Sequence, residues 1–149
     1  MARKRPSPTR CTKGLQVVTL HNGRFEECFI TVPAAGDETP AQLMERLEAY
    51  MSAHPELRIV RQDIFGQDMD SQASHATLQL RLGKPEWPVT LIGQGNGAGC
   101  PVAGVQVHAV SGVAATPLLL GGRIIGVAYE DDDARYCELG SLFARSRRK

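Results

Sequence analysis

Apolar and polar positions alternate on both sides of Asn22-Gly23 in LQVVTLHNGRFEECFITV, residues 15–32. Asn-Gly suits the positive φ angles of a two-residue turn, so the stretch predicts a tight hairpin. After the loop Pro33–Glu38 the period lengthens to three and four. Leu43, Leu47, Tyr50 and Met51 make one apolar stripe, with Glu45, Arg46 and Glu48 facing water. Thr39 is placed to cap this helix, Pro40 occupies the first turn, and Gln42 completes a capping box. His54-Pro55 predicts its end near Ala53. Leu57–Phe65 is β-branched enough for a third strand, and Ser71–Leu82 predicts a second helix, diluted by Ser74, Thr77 and several glutamines.

The next stretch organises the rest. Val89 and Leu91 lead into a glycine-rich turn, Gly95–Gly99, and Val105, Val107 and Ala109 return with Gln106 and His108 between them. This predicts two strands joined by that turn, one face core and the other carrying Thr90, Gln106 and His108. Beyond Ser111, PLLLGGRIIGVAY reads as strand, Gly121-Gly122 turn and strand. Asp131–Asp133 marks another turn before Arg135–Leu139. The acidic run Glu130–Asp133 lacks the spaced oxygens of a calcium loop and reads as a solvated turn.

At 149 residues, 42% of them apolar, the chain has the size of one domain able to bury a core unaided. No run approaches a membrane helix, and the basic start is not followed by a secretory apolar segment, which predicts a soluble cytoplasmic protein. Cys11, Cys28, Cys100 and Cys137 are scattered without a C-x-x-C pair, so neither a metal site nor a redox motif is signalled, and no cofactor motif is present.

The net charge of +1 hides a segregation. Arg3, Lys4, Arg5, Arg10 and Lys13 lie at the front and Arg145, Arg147, Arg148 and Lys149 at the back. The body from Gly14 to Ala144 holds the other 8 basic residues and all 16 acidic ones, a formal −8. Residues 1–13, with Pro6, Pro8 and no apolar period, therefore read as a disordered basic arm, and 145–149 as a basic tail. They can reach a polyanion such as RNA, fold back on an acidic surface, or remain solvated. The absence of aromatic residues to stack on bases favours solvation.

Three segments in this order resemble the Rid/YjgF family, also described as endoribonuclease-like or chorismate mutase-like. FITVPAAGDETPAQLMERLEAYMSAHPELRIVRQDIF is similar to its strand, Q-x-x-x-x-L helix and following strand. Trp87-Pro88-Val89-Thr90 is similar to its aromatic-Pro-Ala-Arg segment, and Val105-Gln106-Val107-His108-Ala109-Val110 to its last strand, V-E-I-E-A-I. The predicted element order already reads as an α+β fold, a mixed β-sheet with two helices on one face, and the resemblance places that domain over residues 14–112. Residues 113–144 would add a C-terminal β-hairpin extension. It further implies a homotrimer with small-molecule clefts between subunits, where an arginine holds a carboxylate and a glutamate handles water in enamine and imine deamination.

The matching positions here are Thr90 and Gln106. A hydroxyl replaces neither the fork nor the charge of a guanidinium, and an amide cannot act as a general base. The usual deamination is thus disfavoured, and no catalytic residue is assigned. If the chain is an enzyme, it is a Rid-type hydrolase, deaminase or lyase with an altered site. The candidate ligand-binding residues are Thr90, Gln106 and His108, with Arg123, Arg135 and Tyr136 as extension residues that would restore a cation. His108 suits a proton carrier, an interface residue or a structural one. Cys100 follows glycine with no cation beside it and is a poor nucleophile. Two readings stand: a trimeric protein binding a small metabolite, carboxylates among the candidates, and an RNA-binding or RNA-cleaving protein using the arms.

Overall fold

A computed structural model of the chain describes residues 10–12, 14–36, 38–66, 85–93 and 102–140. Strands β2 (Leu15–Asn22) and β3 (Phe25–Pro33) form the expected hairpin. Asn22 lies opposite Phe25, and Gly23 takes a φ of 64°, the left-handed value that lets a two-residue turn follow the strand twist. A short strand β1 (Arg10–Thr12) pairs antiparallel with β2, so the sheet begins inside the segment read as the front arm.

Helix α1 (Pro40–Ala53) starts with the capping box intact. The Gln42 N–H donates to Thr39 Oγ1 at 3.2 Å, and the Thr39 N–H donates to Gln42 Oε1 at 2.9 Å. The helix ends at His54, ahead of Pro55. Leu43, Met44 and Leu47 are buried with Val17, Ile30, Val32, Val105 and Val107, which makes the main core the space between α1 and one sheet face.

That sheet is completed by β4 (Arg58–Gly66), β5 (Val89–Gly93) and β6 (Val102–Ser111), in the order β1-β2-β3-β6-β4-β5. The two strands flanking the glycine-rich segment are therefore not neighbours. β4 lies between them, parallel to β5 and antiparallel to β6. β6 has apolar partners on both edges, Ile30 against Val107 in β3 and Ile64 against Val105 in β4, which makes it a central strand. Crossing one intervening strand takes about 10 Å, well within reach of eight residues. Glycines permit a hairpin there without requiring one.

The expectation of an α+β sheet with two helices on one face is not met. Among the described residues α1 is the single helix, most residues are in strands, and the strands form two sheets. The predicted helix 71–82 lies outside the described residues. The C-terminal strands do not extend the first sheet as a hairpin either. β7 (Ala115–Leu120), β8 (Arg123–Glu130) and β9 (Arg135–Leu139) form a separate antiparallel sheet in the order β7-β8-β9. The physical reason is in β8: Val127 and Tyr129 point to one side and need an apolar face to cover them. They find Phe25, Val60 and Val110, with Trp87, Val113, Ala115 and Tyr136 around them, and this second core lies between the sheets.

The chain passes from β6 toward the second sheet through Gly112. Its φ is 82°, and a Cβ there would sit 2.7 Å from the Arg24 carbonyl oxygen, so only glycine fits. The β8–β9 turn is held by Asp131, whose Oδ1 accepts the N–H groups of Ala134 at 2.7 Å and Asp133 at 2.9 Å. These bonds, that from Ala134 foremost, hold the Asp131 carboxyl below its usual value. Among the described residues no helix is long and apolar enough to cross a membrane.

Candidate functional site

Among the described residues, the face of the six-stranded sheet turned away from α1 is only partly covered. Cross-strand register sorts its residues into rows. One row runs Thr31, Gln106, Asp63, Thr90 across β3, β6, β4 and β5. The next runs Val18, Phe29, His108, Arg61 across β2, β3, β6 and β4. In the first row Gln106 is exposed and both threonines are half-buried. In the second, His108 is closed over by the second sheet and keeps 8% of its surface.

His108 is surrounded on all sides. Its Nδ1 is 3.2 Å from Glu138 Oε1 of β9, and its Nε2 is 3.5 Å from Glu27 Oε1 of β3. The ring stacks on Phe29 with centroids 4.4 Å apart and planes 12° from parallel. Glu27 is itself buried, and its Oε2 accepts from Asn22 Nδ2 at 2.9 Å. Burial pushes the His108 pKa below its ordinary value, and this outweighs the opposite pull of Glu138 and Glu27. The Tyr129 hydroxyl faces the same carboxylates, and burial first, then their charge, pushes its pKa up.

Arg61 joins the two rows. Its Nε donates to both oxygens of Asp63, at 3.1 and 3.3 Å, and its Nη1 stands 4.0 Å from Glu138 Oε2. The Arg61 side chain is 40% exposed while that of Asp63 is 12% exposed, so the pair presents its cationic end outward. Alternation in β4 puts residues two apart on one face, and the R-x-D spacing was the signal for this pair.

Of the residues singled out by sequence, Thr90, Gln106 and His108 do share a face. Asp63 separates Thr90 from Gln106, about 10 Å apart across two strand spacings. Of the extension residues, Arg135 and Tyr136 lie away from them, while Arg123 opens β8 two residues before Ile125, whose carbonyl accepts from Gly140 beside Thr90. Arg135 pairs with Glu130 at the other end of β8, at 2.8 Å and fully in solvent. The two ends of β8 are roughly 23 Å apart. Tyr136 belongs to the inter-sheet core, edge-on to Phe25 and stacked on Tyr129. Arg61 of β4 is a cation that the register does place on this face, beside Asp63.

The arrangement offers hydrogen bonds from an amide and two hydroxyls, with an ion pair beside them. Cys28 is buried, and burial raises its thiol pKa, which removes it as a nucleophile. Cys100 lies outside the described residues. Among the described residues no cluster of three His, Cys, Asp or Glu side chains is disposed to hold a metal ion. No family model matches the sequence, and no curated protein is significantly similar to it.

Proposed function

We propose that this chain binds a small metabolite on the open part of the sheet face, along the row Thr31, Gln106, Asp63 and Thr90. The observation that carries the reading is the row itself: four polar side chains in register on adjacent strands, bordered by the half-exposed Arg61. Groups on paired strands are held by the ladder, so a ligand meets a preformed pattern and orders little on binding. Arg61 offers a planar fork to a carboxylate, and Gln106 offers both a donor and an acceptor. Val18, Leu20, Phe29, Phe65 and Ile92 on the same side are half-buried, an apolar surround of the kind small-molecule sites use. Association of three copies over this face would enclose the ligand in clefts between them. Neither Thr90 nor Gln106 can supply the charge of an imine-hydrolysing site, so binding rather than deamination is the activity proposed.

The test is calorimetry and thermal shift of the full chain against a panel of small 2-oxo acids and other monocarboxylates, with light scattering for the mass in solution. Saturable binding that weakens at least tenfold in Arg61→Ala and in Gln106→Ala supports the reading. Binding unchanged by both substitutions, or none across the panel, overturns it.

A further inference from the structure

The Glu27–His108–Glu138 cluster lies where the two sheets meet and has no part in the ligand row. Glu27 and His108 belong to the six-stranded sheet, and Glu138 belongs to the three-stranded one. The contact at His108 Nδ1 is therefore a bond between sheets. On the other side of the ring, Nε2 is buried and has no hydrogen-bond partner among the described residues, with Glu27 Oε1 3.5 Å away.

Each carboxylate already has other company. Glu138 faces Arg61 at 4.0 Å, and Arg61 is also the cross-strand neighbour of His108. Glu27 accepts from Asn22 of β2 and is hydrogen-bonded to Tyr129 of β8. Asp63 of β4 is engaged by Arg61. Tyr136 of β9 and Phe29 of β3 complete the surround, the first bonded to Asp131 and the second stacked on the imidazole. A neutral imidazole donates its Nδ1–H to Glu138 at 3.2 Å and lays its face on Phe29, at the cost of leaving the Nε2 lone pair 3.5 Å from Glu27. An imidazolium would be a fourth charge beside Arg61, Glu27 and Glu138; the two carboxylates attract it, but the ring keeps only 8% of its surface, and the loss of hydration outweighs their pull.

We propose that this cluster is a pH-sensitive latch, holding the three-stranded sheet on the six-stranded one while His108 is neutral and loosening it when acid charges the ring. Lifting the small sheet hydrates the imidazole and lets it take the proton. The sign follows from linkage. A histidine whose folded pKa is lowered contributes its stability above the ordinary value of 6.5, and loses it as pH falls from there toward the folded value. The surface pair His21–Glu26, at 2.8 Å and with both side chains about half in water, lies outside this cluster and is no part of the device.

Trp87 is the only tryptophan and packs against the inter-sheet core, so it reports the latch directly. With the full chain titrated from pH 8 to 5, Trp87 emission is expected to shift to the red with a midpoint below 6.5. Over the same range the hydrogen-exchange protection factors of 115–139 fall by up to about tenfold per pH unit, as one linked proton dictates. Those of α1 and the β2–β3 hairpin hold. His108→Gln should abolish the pH-dependent step. If that variant does not fold, the wild-type ring proton of His108 followed by NMR decides, since its midpoint must lie below 6.5 and coincide with that of Trp87. Titration of His108 above 6.5, a Trp87 shift that survives His108→Gln, or protection lost evenly from both sheets would each overturn the proposal.

Discussion

Replacing Arg46 by alanine should be among the most damaging single changes outside the apolar core. The guanidinium leaves the middle of α1 and makes four bonds to three separate segments. Its Nε and Nη2 donate to the two oxygens of Glu38, each at 2.7 Å; Nη2 also donates to the Pro33 carbonyl at 2.7 Å and Nη1 to the Gly14 carbonyl at 3.2 Å. The helix, the end of β3 and the entry to β2 are thus tied to one side chain. The Arg46 and Glu38 side chains are only 23% and 11% exposed, which places the pair between a surface bridge worth up to about 1 kcal/mol and a buried one costing about 3–5 kcal/mol to break. Two main-chain acceptors also lose a charged donor, at roughly 1 kcal/mol each where water replaces it imperfectly. The expected loss is about 3 kcal/mol, read as a lower urea midpoint with unchanged slope and a Tm reduced by roughly 10 °C. Acid supplies a second check. The bonds from Arg46 hold the Glu38 carboxyl below its ordinary value of 4.5, so its contribution is present above that pH and fades as pH falls through the folded value. The gap between wild type and Arg46→Ala should therefore narrow in strong acid. A loss under 0.5 kcal/mol at pH 7, or a gap that does not narrow, would refute the clamp.

Two further changes test local parts of the scaffold. Thr39→Ala removes the capping hydroxyl and should cost about 1 kcal/mol in urea denaturation, with the helix content of the folded state unchanged by circular dichroism. Trp87→Phe keeps most of the apolar volume but leaves the buried Gln62 carbonyl without the indole N–H that now reaches it at 2.9 Å, and should cost about 1–3 kcal/mol by thermal denaturation followed at a β-sheet wavelength.

What was legible in the sequence was local. Gly23 dictates the turn because it accepts the positive φ, although the turn pair is Gly23-Arg24, one residue later than Asn22-Gly23, with Asn22 still paired to Phe25; the Thr39-Pro40-Gln42 signature places α1 within a residue of where it forms. Strand pairing was not legible in the same way. Gly95–Gly99 looks like a hairpin turn, but the partner of β6 is chosen by how Val105 and Val107 pack with Ile64 and Ile30, residues about forty and seventy-five positions away. Alternation in β7–β9 announces strands and one apolar face without saying whether they lengthen an existing sheet or stack on it. The site shows the same division. Thr90, Gln106 and His108 share a face because parity in a strand is a local property. Arg61 and Glu138 were missed because their meeting depends on which sheet lies over which.

Along β6 the open face reads Gly104, Gln106, His108, Val110, passing from exposed amide to fully buried valine. The second sheet covers the apolar end and stops at the histidine. Its last strand ends at Leu139, and Gly140 donates to the Ile125 carbonyl; a Cβ at Gly140 would lie 3.0 Å from both Pro88 and Thr90. The rim of the small sheet therefore runs beside the polar row, and a ligand seated there would lie against that rim. Arg61 belongs to both regions, bonded to Asp63 in the row and facing Glu138 at the latch. A carboxylate that drew Arg61 toward the row would leave Glu138 with less compensation and make a charged His108 easier to hold. Thermodynamic linkage then requires the converse: charging His108 must alter the affinity of the row for that carboxylate by the same factor. Because one guanidinium serves both, a proton on His108 and a carboxylate seated in the row would not act on this fold independently.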